Sequence, residues 1–280
     1  MTAPSRLLCA AAIALACAPL SAAELQPRTV AAFDRYVQAA EAQMRAASFL
    51  WIDGLTEAER KEKRSELDKG LVVMQRLEVK DGANEIDIPN GLVHHWIGGV
   101  FVKGATVDRA VALMQDYDRH AEIFKPAIAR SKITNRSGDL FHVALRFHMK
   151  KVITVVVNTD NEARFTRLGR DRVQSRIISQ RIAEVEDPDT PREQEKPVGQ
   201  DGGYLWRLYT YWHFLERDGG TYVQCEAISL TRNIPLGFRW LIGPFVTSIP
   251  RESLVFTLDT VRKTLGAEAN APARVAARLE

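Results

Sequence analysis

The 280-residue chain carries 38 lysines and arginines against 35 aspartates and glutamates, a formal charge of +3, and 46% of its residues are hydrophobic. Basic residues are interleaved with acidic ones instead of forming a patch, so the composition gives no reason to expect a nucleic-acid partner. The length and hydrophobic content are sufficient for one large domain or two small ones, stabilised by a buried core.

The first 23 residues have the three-part pattern of a secretory signal. Arg6 precedes an uncharged run from Leu7 to Leu20, and small residues lead to Ala23. The run of about 14 residues is shorter than the ~20 apolar residues that a membrane-spanning helix needs. We therefore expect cleavage near Ala23 and a periplasmic or secreted protein. A lipid anchor at Cys17 is the alternative.

Cleavage after Ala23 would remove two of the three cysteines and leave only Cys225. An intramolecular disulfide is then impossible. A cysteine acts as a nucleophile beside a base or a positive charge. The hairpin register described below places Cys225 opposite Trp212, which favours inert packing.

Residues 24–90 are predicted to form an N-terminal extension with helical and β segments. Apolar side chains at three- and four-residue spacing predict an amphipathic helix over 29–47. Thr56 and Glu59 have the spacing of a capping box, which predicts a second, very polar helix that ends near Lys69.

The middle of the chain is predicted to be rich in β-strands. Several stretches alternate apolar and polar residues, as antiparallel strands with one covered face do. A short helix is predicted over 107–114 and a long surface loop over 186–203. The predicted strands are 71–79, 91–103, 129–136, 139–149, 152–168, 172–185, 204–215 and 221–232.

The last two strands are joined by a strong hairpin-turn signal, Arg217-Asp218-Gly219-Gly220. This turn predicts a register that pairs Trp212 with Cys225 and Thr210 with Ala227. One face then combines large aromatic side chains with small ones, which leaves room for another element or a ligand. The other face is predicted to be mixed in polarity and wetter. The residues predicted on the first face are Trp206, Trp212, Phe214, Cys225, Ala227, Ser229 and Thr231.

The chain is predicted to close with one long amphipathic helix and a tail, residues 267–280. Ser248 is the expected N-cap, with Pro250 in the first turn. An apolar stripe runs from Leu254 to Leu265. We expect this stripe to pack on the face of the sheet that carries the small residues.

A resemblance to a known superfamily is carried by three stretches, GATVDRAVALMQDYDRHAEIFKPAIARSKI, YLWRLYTYWHFLERDGGTYVQCEAISLTRNIP and SIPRESLVFTLDTVRKTL. In its order of strand, short helix, antiparallel strands and long final helix, the chain resembles the START-like helix-grip superfamily. This superfamily includes Bet v 1 allergens, polyketide cyclases and coenzyme Q-binding proteins. The resemblance covers about residues 91–266, and the chain also resembles exported bacterial members whose role is not established.

The resemblance implies an α+β helix-grip fold, in which a curved antiparallel sheet wraps around the C-terminal helix, preceded by an N-terminal helical extension. It also implies a cavity between helix and sheet for an apolar ligand such as a lipid, sterol, quinone or polyketide. It implies no shared catalytic residue, because the superfamily has no universal one.

Five residues are candidates for ligand contact: Arg181, His94, Trp206, Thr210 and Trp212. Alternation places Arg181 on the more apolar side of its strand, where its charge would orient a ligand carboxylate or phosphate. The alternative is a bend in the strand that takes Arg181 to solvent. His94 is a candidate cavity donor or base, with a hydrogen-bonded core histidine as the alternative. The other three lie on the predicted aromatic and small-residue face.

No cofactor, metal site or catalytic residue is predicted. His94 and His95 point to opposite faces of a strand and cannot readily chelate one metal ion. The remaining histidines lack the spacing of metal ligands. Asp116, Tyr117 and His120 are a candidate polar mouth of the cavity, with a helix-end role as the alternative.

Three functions remain open at this point. The first is a carrier or binder of a hydrophobic small molecule, and the second is an enzyme of the cyclase, dehydratase or hydrolase type using the same cavity. The third is a protein-interaction module whose N-terminal helices recruit a partner that the sequence does not identify. An apolar segment before the last helix is predicted to contact a membrane transiently through Phe238, Trp240, Leu241 and Ile242.

Overall fold

The structure is a computed structural model. It describes residues 23–82, 84–150, 154–233 and 239–276. The side chains of 239–247 and 270–276 are outside this description. The strands are β1 (Ala23–Glu24), β2 (Val73–Arg76), β3 (Lys80–Asp81), β4 (Asn84–Glu85), β5 (Gly91–Lys103), β6 (Ile128–Ser137), β7 (Leu140–Lys150), β8 (Thr154–Arg167), β9 (Arg172–Glu186), β10 (Gln194–Glu195), β11 (Gln200–Asp201), β12 (Arg207–Arg217) and β13 (Gly220–Arg232). The helices are α1 (Pro27–Ala46), α2 (Glu57–Asp68), α3 (Val107–Gln115), α4 (His120–Ile123) and α5 (Arg239–Ala276), with 3₁₀ turns at Trp51–Gly54 and Tyr117–Arg119.

Nine strands form one antiparallel sheet in the order β2-β5-β13-β12-β9-β8-β7-β6, with β10 added to β9. The hairpin of β12 and β13 has the predicted register, with Trp212 opposite Cys225 and Thr210 opposite Ala227. The long final helix packs on this sheet, as the next paragraph describes. The predicted α+β class and helix-grip fold are therefore confirmed.

We call the face of the sheet that contacts α5 the inner face. The apolar stripe of α5 lies on it, and Leu254, Leu258, Val261 and Leu265 are all buried there with residues of the sheet and of α3. Gly98 of β5 allows the close approach, because a Cβ added at that position would lie 3.0 Å from Leu258 Cδ1. Burying each such side chain stabilises the fold by about 1.5–3 kcal/mol, so this contact fixes α5 on the sheet.

On β12 and β13, the opposite, outer face of the sheet is covered by α1, so the prediction that this face of the hairpin is wetter is wrong. The sequence predicts the apolar stripe of this N-terminal helix but does not indicate which surface it packs on. The stripe packs on the outer-face side chains of β12 and β13, which buries their apolar parts. The members of this second core are Phe33, Tyr36, Val37, Ala40, Val79, Trp206, Tyr211, Ile228 and Leu230.

The second helix of the N-terminal extension begins with the predicted cap. The capping box at α2 is present: Thr56 Oγ1 accepts a hydrogen bond from the Glu59 N–H, and the Glu59 carboxylate accepts one from the Thr56 N–H. Such a cap typically contributes about 1 kcal/mol to helix stability. Among the described residues, no helix combines the length and the apolar character needed to cross a bilayer.

The start of α5 corrects the prediction. The helix begins at Arg239 and not after Ser248, and it continues to Ala276, into the predicted tail. Pro244 and Pro250 both lie inside it. Proline holds φ near the helical value and removes one backbone donor, so a helix can pass through it at an energetic cost. The cap signal at Ser248 is therefore not a helix start.

Candidate ligand site on the inner face of the sheet

One row of inner-face side chains crosses four strands and stays half-buried. Trp96 of β5 pairs with Ala227 of β13, Ala227 with Thr210 of β12, and Thr210 with Ile177 of β9. All four side chains keep accessible surface. Since neighbouring strands are about 4.8 Å apart, the row is about 14 Å long. We call Trp96, Ala227, Thr210 and Ile177 the accessible strip.

The residues in the rows on both sides of the accessible strip are buried, except for the half-buried Leu208 of β12, which pairs with Ser229. On one side the neighbours are Trp212 and Cys225, which belong to the core under α3 and α5. On the other side the neighbours are His94 and Ser229, both also buried. Within the strip, two small side chains lie between a tryptophan and an isoleucine. The strip is therefore a half-buried row on the inner face, with its small residues at the centre.

Two of the predicted contact residues lie at this site, with different environments. Thr210 is a member of the accessible strip, and its hydroxyl has no hydrogen-bond partner among the described residues. Trp212 is only 4% exposed and stacks on Phe214, with ring centroids 6.1 Å apart and planes 8° from parallel. Thr210 thus belongs to the half-buried accessible strip, whereas Trp212 is part of the packed core beside it.

Trp206 is not at this site, and its predicted position on the inner face is wrong. It precedes β12, which begins at Arg207, and its side chain packs in the outer-face core with α1. Its Nε1–H donates to Asp201 Oδ1 over 3.0 Å. Strict alternation of faces holds only inside a strand, so extending it back to residue 206 gave the wrong side.

Arg181 is also on the wrong side for the predicted role, because β9 contains a bulge. Asp160 pairs with Arg181 and Asn161 with Ser179, which leaves Gln180 without a partner on β8. One extra residue reverses the face of every residue that follows it along the strand. The alternation that predicts Arg181 on the apolar side is broken at Gln180.

Arg181 therefore lies on the outer face, where its side chain is 40% exposed. Its guanidinium forms an ion pair with Glu195 and lies 3.9 Å from the Asp160 carboxylate. The alternative interpretation, in which a strand irregularity takes this arginine to solvent, fits the structure.

His94 is on the inner face, and its environment is that of a core histidine. Its side chain is buried, and its Nε2 lies 3.1 Å from Thr231 Oγ1. Burial lowers the pKa of His94 to about 4, so the imidazole is neutral at pH 7. His95 points to the outer face, as the alternation predicted.

The three residues of the predicted cavity mouth separate into two environments. Asp116 is at the surface and accepts a hydrogen bond from Arg119, which is the helix-end role. Tyr117 and His120 are buried side by side, with ring centroids 4.7 Å apart. His120 Nε2 lies 3.3 Å from the Leu113 carbonyl oxygen, and burial lowers the pKa of His120 to about 4.

Two hydroxyls in this layer were missed by the sequence interpretation. Ser175 Oγ and Tyr117 Oη are both buried, and neither has a hydrogen-bond partner among the described residues. Buried polar groups in folded proteins nearly always have one. A signal for Ser175 existed, since it is a serine between Val173 and Ile177 on the apolar side of its strand.

Within the described parts of the chain, no three His, Cys, Asp or Glu side chains are grouped as metal ligands. Burial raises the pKa of the Cys225 thiol well above its usual value, which keeps the thiol protonated. The segment predicted to touch a membrane, with Phe238, Trp240, Leu241 and Ile242, has side chains outside the described residues.

No protein-family model matches the sequence, and no curated protein matches it either. Solved structures are similar at low identity. For the STAR-related lipid transfer protein from Xanthomonas axonopodis, the TM-score is 0.43 and the identity 15%, over 69% of this chain and 98% of that one. For the Zhui aromatase/cyclase from Streptomyces sp. R1128, the values are 0.44 and 12%, over 65% and 98%. For human STARD10 they are 0.43 and 9%, over 80% and 84%. At this distance, similarity assigns neither a ligand nor an activity.

Proposed function

We propose that this protein binds a hydrophobic small molecule, such as a lipid, sterol, quinone or polyketide-like compound, between the sheet and α5. The observation that carries the proposal is the accessible strip. Its four side chains retain accessible surface in a layer whose neighbouring rows are buried, except at Leu208. Covering apolar surface contributes about 25 cal/mol per Å², so a ligand of matching shape gains affinity there.

The titratable groups near the strip support binding over acid–base catalysis. A general acid–base site needs two groups that converge on one substrate position. His94 is bonded to Thr231, and His120 is packed against Tyr117. A cyclase, dehydratase or hydrolase remains the alternative, and turnover of a bound ligand would establish it.

The position of α1 argues against a free docking helix in this extension. Its apolar stripe is already buried against the outer face of this chain's own sheet. A helix that recruits a partner through an apolar stripe would leave that stripe exposed. The interaction-module hypothesis therefore lacks a surface in the described part of the extension.

Export belongs to the same proposal, with cleavage near Ala23 and a periplasmic or secreted location. The residues just after this position are held by the loop before β12: the Leu25 N–H donates to the Gly199 carbonyl oxygen over 2.7 Å. N-terminal sequencing of protein from the cell envelope tests this. Glu24 as the first residue supports export, whereas a blocked N-terminus at Cys17 indicates the lipid anchor and an intact Met1 contradicts both.

The ligand itself is tested by native mass spectrometry and solvent extraction of the protein purified from its own cell envelope. We expect a one-to-one adduct that organic solvent removes. A clean apo mass, together with no binding of a panel of lipids, quinones and sterols, would contradict the proposal.

A further inference from the structure

The two unpartnered hydroxyls of the inner layer give a more specific conclusion about the ligand. Ser175 is 4% exposed and Tyr117 is 3% exposed. Leaving a buried hydroxyl without a partner costs about 1–3 kcal/mol. Two such groups in one layer are therefore destabilising, and a bound molecule that pairs with them would relieve the cost.

The two hydroxyl-bearing residues belong to one cluster beside the accessible strip. Ser175 is two residues from Ile177 on the same face of β9, about 7 Å along the strand, and it pairs with Phe165 of β8. The Phe165 ring lies 5.8 Å from Phe141, and the Phe141 ring lies 5.6 Å from Tyr117. Strand β9 and the turn after α3 thus bring their unpaired hydroxyls to the same aromatic cluster.

The charged side chains at inner-face positions already have partners. Glu184 Oε1 lies 2.6 Å from Lys196 Nζ, and Glu216 Oε2 accepts the Val107 N–H over 2.8 Å. Arg167 forms an ion pair with Asp108, and Arg136 lies over the Phe141 ring. A charged ligand group in this layer would lose its hydration without gaining an unpaired counter-charge from these residues.

We infer that the ligand carries an uncharged oxygen, a carbonyl or a hydroxyl, that accepts a hydrogen bond from Ser175 or from Tyr117 while its apolar body covers the accessible strip. The inference rests on the proposed function and makes it more specific. Serine and tyrosine hydroxyls donate readily to such an oxygen. An anionic head group is not part of this inference, because Arg181, the cation that the sequence suggested for it, lies on the outer face. Arg76, which pairs with Trp96 at the end of the strip, already lies 3.7 Å from the Glu78 carboxylate.

The test uses a fluorescent apolar probe, phenylnaphthylamine, which contains no oxygen. Three competitors of similar size displace it: ethylnaphthalene, acetylnaphthalene and naphthoate, which carry no oxygen, a ketone and a negative charge. We expect the ketone to displace the probe at an about tenfold lower concentration than the hydrocarbon, as one or two net hydrogen bonds allow. Naphthoate, ionised at neutral pH, should be the weakest competitor.

Two substitutions locate the effect. In Ser175→Ala or in Tyr117→Phe, the preference for the ketone over the hydrocarbon should fall to about threefold or less. Both ligand-free variants should unfold at the same temperature as the wild type or a higher one, because each removes an unpaired buried hydroxyl. Ser179→Ala is the matched control on the same face of β9, since Ser179 Oγ already donates to Asn161 Oδ1 over 2.7 Å. It should lower the unfolding temperature and keep the ketone preference.

The outcomes separate this inference from the function on which it rests. If the probe binds but ketone and hydrocarbon compete equally, or if naphthoate competes best, the inference is wrong and apolar binding stands. Equal loss of the ketone preference in Ser175→Ala and Ser179→Ala would also overturn it. If the probe does not bind at all, both the inference and the proposed function fail.

Discussion

His95 Nε2 lies 2.7 Å from Glu226 Oε1, and both side chains are buried between the sheet and α1. On its other side, His95 Nδ1 lies 3.0 Å from Tyr36 Oη, which also accepts the Val79 N–H over 3.2 Å. The Tyr36 hydroxyl thus contacts both the His95 ring and the Val79 backbone. These hydrogen bonds fasten the N-terminal helix to the outer face.

Tyr36→Phe removes this connection while leaving the ring in place. His95 Nδ1 and the Val79 N–H lose their shared partner in a buried setting. The free energy of unfolding should fall by about 1–2 kcal/mol in urea denaturation. Tyr209→Phe is the control, because its hydroxyl has no hydrogen bond among the described residues, and it should change stability by less than about 0.5 kcal/mol. Equal effects of the two substitutions would show that the connection contributes nothing.

The three histidines with the strongest burial effects predict acid sensitivity. Burial lowers the pKa values of His94, His120 and His213 from 6.5 to about 4. Between these limits the unfolded chain binds protons that the folded chain does not, so stability falls as pH falls from about 6.5 towards 4. Each histidine contributes on the order of 1–3 kcal/mol over this range.

Urea denaturation between pH 7 and 5 checks this pH dependence. His94→Gln should flatten the decline, because one of the three protonation differences is gone. Hydrogen bonds from Arg146 lower the pKa of the Glu193 carboxyl group from 4.5 to about 2. This group therefore affects stability below the range of pH 7 to 5. A stability that is constant over this range, or a slope unaffected by His94→Gln, would contradict the assignment of neutral buried imidazoles.

Substitutions at two outer-face arginines should lower the free energy of unfolding by different amounts. Arg146 forms two hydrogen bonds with the Glu193 carboxylate, over 2.9 and 2.6 Å, and its side chain is 6% exposed. Arg146→Gln should cost about 1.5–3 kcal/mol, because a nearly buried paired charge is lost. Arg181→Gln should cost less than about 1 kcal/mol and leave probe binding unchanged, since its ion pair is half-exposed. Loss of ligand binding in Arg181→Gln would contradict its placement on the outer face.

A pair of glycine substitutions tests the docking of α5. A Cβ at Gly98 would lie 2.9 Å from the Val73 carbonyl oxygen and 3.0 Å from Leu258 Cδ1, so Gly98→Ala must shift β2 or α5. We expect a loss of about 1–3 kcal/mol. Gly266 lies within α5, and beyond its own stretch of helix an added Cβ meets no atom of the described residues within 4 Å. Gly266→Ala should therefore stabilise the protein by about 0.5–1 kcal/mol. A neutral Gly98→Ala would mean that α5 is not packed this closely.

The sequence predicted the fold well because its signals are local. The turn at 217–220 determined the register of the last hairpin, the spacing of Thr56 and Glu59 marked α2, and the stripe from Leu254 to Leu265 identified the helix on the sheet. Each depends on residues that are near one another in the chain. Single-sequence patterns are therefore sufficient for these elements.

The positions of individual site residues depended on information that alternation does not contain. One unpaired residue, Gln180, moves Arg181 to the other face, and Trp206 lies outside the strand to which the alternation was extended. The destination of the α1 stripe was also not predictable, because an amphipathic pattern shows that a helix has an apolar side without showing what covers it. The half-buried strip became visible only once the rows across four strands were known.

The most direct measurement of the central claim is a fluorescence titration of phenylnaphthylamine with three proteins. Ala227→Leu fills the accessible strip from its centre, while Ala144→Leu adds the same atoms at a half-buried position on the outer face of β7. We predict saturable one-to-one binding to the wild type, similar affinity for Ala144→Leu, and at least about tenfold weaker binding to Ala227→Leu. Equal affinity of all three proteins, or no saturable binding to the wild type, would contradict a ligand site on the inner face.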